Sequence, residues 1–100
     1  MATTSKALFR GAASTSSTTL YTVPVATTAV VTNIAVANSA TSSATFTILL
    51  DDIELQKDST IEANTTVYID LKQVLATGKT IKGLASAITV DFHISGVEIA

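Results

Sequence analysis

Apolar residues recur at every second position through most of this chain, and the places where the alternation stops divide it. The run Leu20–Asn38, LYTVPVATTAVVTNIAVAN, is interrupted only by Pro24. Proline has no N–H to give to a ladder and holds the preceding Val23 extended. The pattern therefore predicts one strand over Leu20–Val23 and a longer one over Thr28–Asn38. Strict alternation in the longer strand puts Val30, Thr32, Ile34 and Val36 on one face and Ala29, Val31, Asn33, Ala35 and Ala37 on the other. Neither face carries a charge. The first is assigned to the core and the second to contact with another subunit.

Further along, Ala44, Phe46, Ile48 and Leu50 alternate with Thr45, Thr47 and Leu49. Asp51-Asp52 fits a tight turn, after which Ile53 and Leu55 resume the alternation, as in a hairpin. Val67, Ile69 and Leu71 form the next inward set. The i, i+3, i+4 spacing of Leu71, Val74 and Leu75 ahead of Gly78 predicts one short helical turn near 71–77. Thr80–Ala85 reads as a strand in which Gly83 marks a bulge or a close approach of backbone. In the last strand Ile88, Val90, Phe92 and Ile94 alternate, and the apolar parity then flips to Val97 and Ile99 across Ser95-Gly96. A one-residue phase change at a glycine is what a β-bulge produces.

Ahead of all this, Ala7–Arg10 reads as a short strand and GAASTSSTT as a small-residue segment with little to bury. Residues 1–19 are accordingly expected to form an N-terminal arm, and 20–100 the folded domain. The short strands, roughly seven to nine at about ten-residue spacing, predict an all-β fold: an antiparallel β-sandwich or jelly roll.

Composition sharpens this picture. Of the 100 residues 47% are apolar but only 14% are charged, and Ser and Thr supply more than a quarter of the chain. Threonine, valine and isoleucine are stiff at χ1 and favour strands. There is no cysteine, which rules out a disulfide framework and a thiolate metal site. The net charge of −2 argues against a broad basic surface for nucleic acid. No apolar run is long enough for a transmembrane helix, and MATTSKALFR has no continuous apolar region of a secretory signal; folding in a cytoplasm is expected. From Gly11 to Leu50 there is no Asp, Glu, Lys, Arg or His. Exposed by a monomer, such a surface would be unusually dry, and contiguous apolar patches mark interfaces. Self-association is expected, with a cyclic trimer favoured.

Candidate chemistry is sparse. Asp91, His93 and Ser95 carry the residue types of a hydrolytic triad, but same-face neighbours on a strand stand roughly 7 Å apart, beyond the ~2.6–3.2 Å contacts that catalysis requires. They read as the wet face of a strand. Asp51, Asp52, Glu54 and Asp58 form the densest acidic cluster, without the spacing of a calcium loop; a solvated hairpin tip fits better. A lone His93 cannot build a zinc site. No phosphate-binding glycine loop is present, and the five Tyr and Phe are too few for a base-stacking platform. Catalytic, metal and cofactor-binding residues are expected to be absent, and Lys6 and Arg10 are noted as charges for an acidic partner.

The segments LYTVP (Leu20–Pro24), VVTNIAVAN (Val30–Asn38), GKTIKGLAS (Gly78–Ser86) and ISGVEIA (Ile94–Ala100) resemble small β-sandwich virion proteins of tailed bacteriophages. The resemblance spans about Leu20–Ala100 and consists of strand patterns, so it transfers no catalytic or ligand residue. It implies a non-enzymatic structural role on the phage particle: a capsid decoration (cement) protein bound to the major capsid protein or another virion protein. The alternative it implies is a tail, neck, baseplate or fibre module contacting the host surface. The partners expected on this reading are further copies of the chain and virion proteins, with neither nucleic acid nor membrane.

Overall fold

The alternating segments close into two antiparallel sheets in the computed structural model, which describes residues 2–100. The strands are β1 (Thr3–Ala12), β2 (Thr18–Thr22), β3 (Thr28–Asn38), β4 (Ala44–Leu50), β5 (Ile53–Ile61), β6 (Thr65–Leu75), β7 (Thr80–Ala85) and β8 (Val90–Ile99). One sheet has the order β1-β8-β3-β6 and the other β2-β7-β4-β5. The pairs β1·β8, β2·β7, β3·β6 and β4·β5 are nested in sequence. The chain is thus a long ribbon folded back at the β4–β5 hairpin and rolled up, which is the jelly-roll form of the sandwich. The hairpin turn is the tight one expected: Leu50 pairs with Ile53, and both Asp51 and Asp52 have positive φ, as a type I′ turn requires.

The core lies between the sheets. Ile34, Val36, Ile48, Ile61, Ile81, Val90, Phe92 and Ile94 have no exposed surface. Phe46 from one sheet meets Phe92 from the other edge-on, with ring centroids 6.3 Å apart, a favoured aromatic geometry.

All four edge strands carry an extra residue that faces no partner, and in each a leucine sits there. Leu8 lies between Ala7 and Phe9 of β1, which pair with the adjacent Ser95 and Ile94. Leu20 occupies the same kind of position in β2 and Leu55 in β5. In β6, Leu71 and Lys72 together oppose the single Thr32. Leu8 is buried, and Leu20, Leu55 and Leu71 pack against the core. A bulge rotates one side chain relative to its neighbours; here it turns leucines into the open sides of the sandwich.

These bulges overturn several expectations. The Leu71, Val74, Leu75 spacing is a strand losing phase at its bulge and not a helical turn; β6 runs unbroken to Leu75. The parity flip near Ser95-Gly96 belongs to the neighbours of β8. Leu8 of β1 and Thr32 of β3 are the extra residues, while β8 keeps Phe92, Ile94 and Gly96 buried in step. Because Thr32 is extra, β3 changes faces within its own length. Ala29 and Val31 point inward before it, and Ile34, Val36 and Asn38 after it. The assignment of Ala29 and Val31 to a subunit contact is therefore corrected: both are fully buried core residues. Val30 and Thr32 leave the core face, and Asn33, Ala35 and Ala37 remain on the outer one.

The expected arm is also part of the fold. Thr3–Ala12 is an edge strand along β8, and Ala13 is buried with its N–H donated to the Val90 carbonyl. The Ala85 N–H donates to the Ser14 carbonyl, so the crossing from one sheet to the other is fixed at both strands.

At the end of the sandwich where the β1–β2, β3–β4, β5–β6 and β7–β8 connections meet, the buried Asn38 holds three of them. Its Nδ2 donates to the carbonyls of Ser42, Ile61 and Glu62 at 2.9, 3.4 and 3.3 Å, and its Oδ1 accepts from the Ala40 N–H and the Thr89 hydroxyl at 3.1 and 3.3 Å. Removing one partner from a buried network leaves the others unsatisfied, at about 1–3 kcal/mol for each group. Asn38→Leu should thus cost about 3 kcal/mol or more of unfolding free energy, read by denaturant titration. Gly96→Ala should be similarly severe, because its Cβ would fall 2.3 Å from the Val30 carbonyl oxygen and 2.9 Å from Leu8 Cδ1; a loss of about 2–3 kcal/mol is expected. Near-native midpoints for either variant would refute these packing assignments.

Candidate interaction surface

The outer face of the β1-β8-β3-β6 sheet collects most of the residues singled out from sequence. Alternation away from the core and the strand register place side chains there in rows. Ala12, Asp91, Ala37 and Thr66 form one row; Arg10, His93, Ala35 and Tyr68 the next; then Ala7, Ser95, Asn33 and Asp70; then Ser5, Val97, Val30 and Val74. Small side chains run down the middle on β3, flanked by larger ones. Tyr68 is 70% and Val74 67% exposed. Exposed apolar and aromatic side chains on one sheet face are the usual make-up of a contact surface.

The structure brings Asn33, Ala35, Ala37 and Arg10 together on this face and separates Lys6 from it. Lys6 pairs in register with Gly96, on the opposite side of its strand from Ser5 and Ala7. Its ammonium lies 3.4 Å from the Glu98 carboxylate, so it holds β1 to β8 at the terminal end of the sandwich. Asp91, His93 and Ser95 do share the outer face of β8, as their spacing predicts, and no hydrogen bond joins them among the described residues. They contribute polar atoms to a surface.

The acidic cluster is likewise divided. Asp51 faces Lys79 at 3.5 Å, Asp52 faces Lys82 at 2.7 Å, and Glu54 faces Lys57 at 3.4 Å. Three of the four carboxylates, all but Asp58, each face a separate lysine, and among the described residues no group of three potential ligands converges on a point. Two of these pairs tie the tight β4–β5 turn to β7 and the turn before it, fixing a backbone conformation that asparagine and glycine adopt more readily than aspartate.

Two features escaped sequence reasoning. One is a groove of about 260 Å³ where β5 and β6 diverge, lined by Leu50, Ile53, Leu55, Val74 and Leu75 together with Gln73 and the carboxylates Asp51 and Glu54. Ile53, 70% exposed, stands at its rim. The other is the Tyr21–Glu98 contact, in which the phenol donates to the carboxylate at 2.5 Å and links β2 of one sheet to β8 of the other. Burial, followed by the neighbouring carboxylate, raises the Tyr21 pKa above the ordinary phenol value. The Tyr21 hydrogen bond, aided by Lys6 and opposed by desolvation, holds Glu98 below the usual carboxylate range.

These shifts set the sign of a pH dependence. A carboxylate lowered in the folded state stabilises fully above its unfolded value near ~4.3, and that contribution is lost as pH falls through the folded pKa. A raised phenol stabilises fully below about pH 10 and loses its contribution above it. Tyr21→Phe should melt at a lower temperature than the parent at neutral pH, and the gap should narrow in acid as Glu98 protonates. Thermal melts across the pH range check this; a gap independent of pH below 7 would mean that the contact does not couple to Glu98.

No protein-family model and no curated protein sequence matches the chain, so its functional reading rests on the fold and on these surfaces.

Proposed function

We propose that the chain is a non-enzymatic structural protein of a bacteriophage particle, a capsid decoration protein that self-associates and bridges neighbouring capsid subunits. On this reading it is made in the bacterial cytoplasm and resides on the virion. The observation that carries it is the outer face of the β1-β8-β3-β6 sheet, where Val30, Val97, Ala35 and Ala37 lie between the exposed Tyr68 and Val74 on one side and Arg10 on the other. Jelly rolls recur in viral capsid and lectin domains. Since a fold hosts many functions, the surface and the resemblance to phage virion proteins support the assignment, and the topology is compatible with it.

The energetics suit the role. A contact worth about 4 kcal/mol holds only near millimolar concentration. Several such contacts on one rigid assembly act at high effective concentration and become durable without any single tight site. A face built of small and β-branched side chains costs little rotamer entropy when it is covered.

The reading is tested by copy number. Quantitative gel densitometry of purified particles should give hundreds of copies; about three to twelve, set by ring symmetry, would move the protein to a tail, neck, baseplate or fibre and reject the decoration role. A second test uses Ala35→Glu, which should keep the parent melting temperature while losing binding to particles stripped of the protein. Undiminished binding by the variant would exclude this face as the contact.

A further inference from the structure

An edge strand presents unpaired backbone donors and acceptors, and proteins blunt their edges with bulges and charges. In this molecule the four edges are unequally blunted. The five residues of β2 carry a bulge at their centre, at Leu20. β5 is broken twice, at Leu55 and at Lys57-Asp58, and Asp58 has positive φ. β1 is interrupted at Leu8 and carries Lys6 and Arg10 on either side. β6 differs. Its bulge lies at Leu71-Lys72, and the preceding run Thr65–Asp70, TTVYID, stays in continuous register with β3 and has one charge, at its end.

That run is also incompletely covered. Val67 and Ile69 face the interior but are only half-buried, although they pack against the core, and Tyr68 on the outer face is 70% exposed. The backbone of β6 has β3 on one side and no strand on the other.

We propose that a second copy of this chain pairs with it along this edge, β6 antiparallel to β6 about a two-fold axis, joining two four-stranded sheets into one of eight strands. The sequence of the edge is self-complementary in one register. With Tyr68 opposite its counterpart, Val67 falls opposite Ile69, so the half-buried apolar side chains cover each other. Thr66 falls opposite Asp70, a hydroxyl against a carboxylate. Centring on Asp70 would oppose two carboxylates, and centring on Ile69 would put Asp70 against the Tyr68 ring and bring the Leu71-Lys72 bulge into the pairing. The Tyr68 register keeps that bulge out of the Thr66–Asp70 pairing, and cross-strand aromatic pairs stabilise antiparallel sheets. The inference is independent of the virion reading, and it replaces the three-fold symmetry expected from sequence with a two-fold.

Sedimentation over a concentration series tests it. The parent chain should shift from its 10.3 kDa monomer to twice that mass as concentration rises, whereas Tyr68→Lys should remain monomeric with an unchanged melting temperature. Because the chain has no cysteine, single-cysteine variants report the register. Oxidised Tyr68→Cys should give a covalent dimer and Thr66→Cys alone should not, while a mixture of Thr66→Cys and Asp70→Cys should cross-link. A parent that stays monomeric throughout, a trimer, a dimer that persists in Tyr68→Lys, or cross-linking of Thr66→Cys with itself would each overturn the proposal.

Discussion

A sandwich of two sheets covers its core from above and below but leaves it open at the sides, and closing those sides is the constraint on which this structure depends. The chain meets it by placing leucines in edge-strand bulges. On the β1/β2 side each bulged leucine has a glycine to receive it. Leu8 packs where a Cβ on Gly96 would lie 2.9 Å from it, and Leu20 where one on Gly83 would lie 3.0 Å away. The missing side chains of β8 and β7 leave space that the leucines fill. On the β5/β6 side, Leu55 and Leu71 face no glycine, and the groove opens beside Leu55. The molecule therefore has a closed side and an open one, and the features that invite a partner lie on or beside the open one.

The same device explains which parts of the fold were legible in the sequence. Period-two alternation marks strands well, so most of the strands, the β4–β5 hairpin and the all-β class could be read directly. A bulge changes the parity of everything beyond it, and it leaves no composition mark when the inserted residue is a leucine or threonine. For that reason Thr32 hid the exchange of faces within β3, and Leu71-Lys72 imitated helical spacing. The glycine at 96 marked the right place, but the extra residues belong to the strands beside it. Beyond the short Ala7–Arg10 segment, the rest of Thr3–Ala12 escaped because Thr, Ser and Lys on an edge strand need little burial; backbone pairing with β8, helped by Leu8 and the Lys6–Glu98 pair, holds the strand in the sheet.

The charge-free stretch from Gly11 to Leu50 also takes on a different meaning. Besides the edge strand β2 it supplies β3 and β4, two of the four strands that lie between two neighbours in their sheets, and much of its dryness is core. On β3 the part that reaches the outer sheet face is Asn33, Ala35 and Ala37, with Val30 and Thr32 added by the phase change. Asn38 had no distinguishing signal beyond its place at the end of an apolar strand, yet it satisfies the backbone of three connections. Electrostatics is concentrated at the opposite end, where Lys6, Glu98 and Tyr21 bind the terminal strands to β2 and where lysines on and before β7 hold the β4–β5 turn. One end is organised by a neutral buried amide and the other by ion pairs, which leaves the outer sheet face between them free to serve as a contact.

The central claim, that this protein works through association and that its open side is where copies meet, can be examined residue by residue with amide hydrogen exchange at low and high protein concentration. Amides of Thr65–Asp70 should gain protection as concentration rises, while those of the bulged edges β1, β2 and β5 exchange at unchanged rates. Exchange in β6 that is indifferent to concentration, or protection that appears at another edge instead, would contradict it.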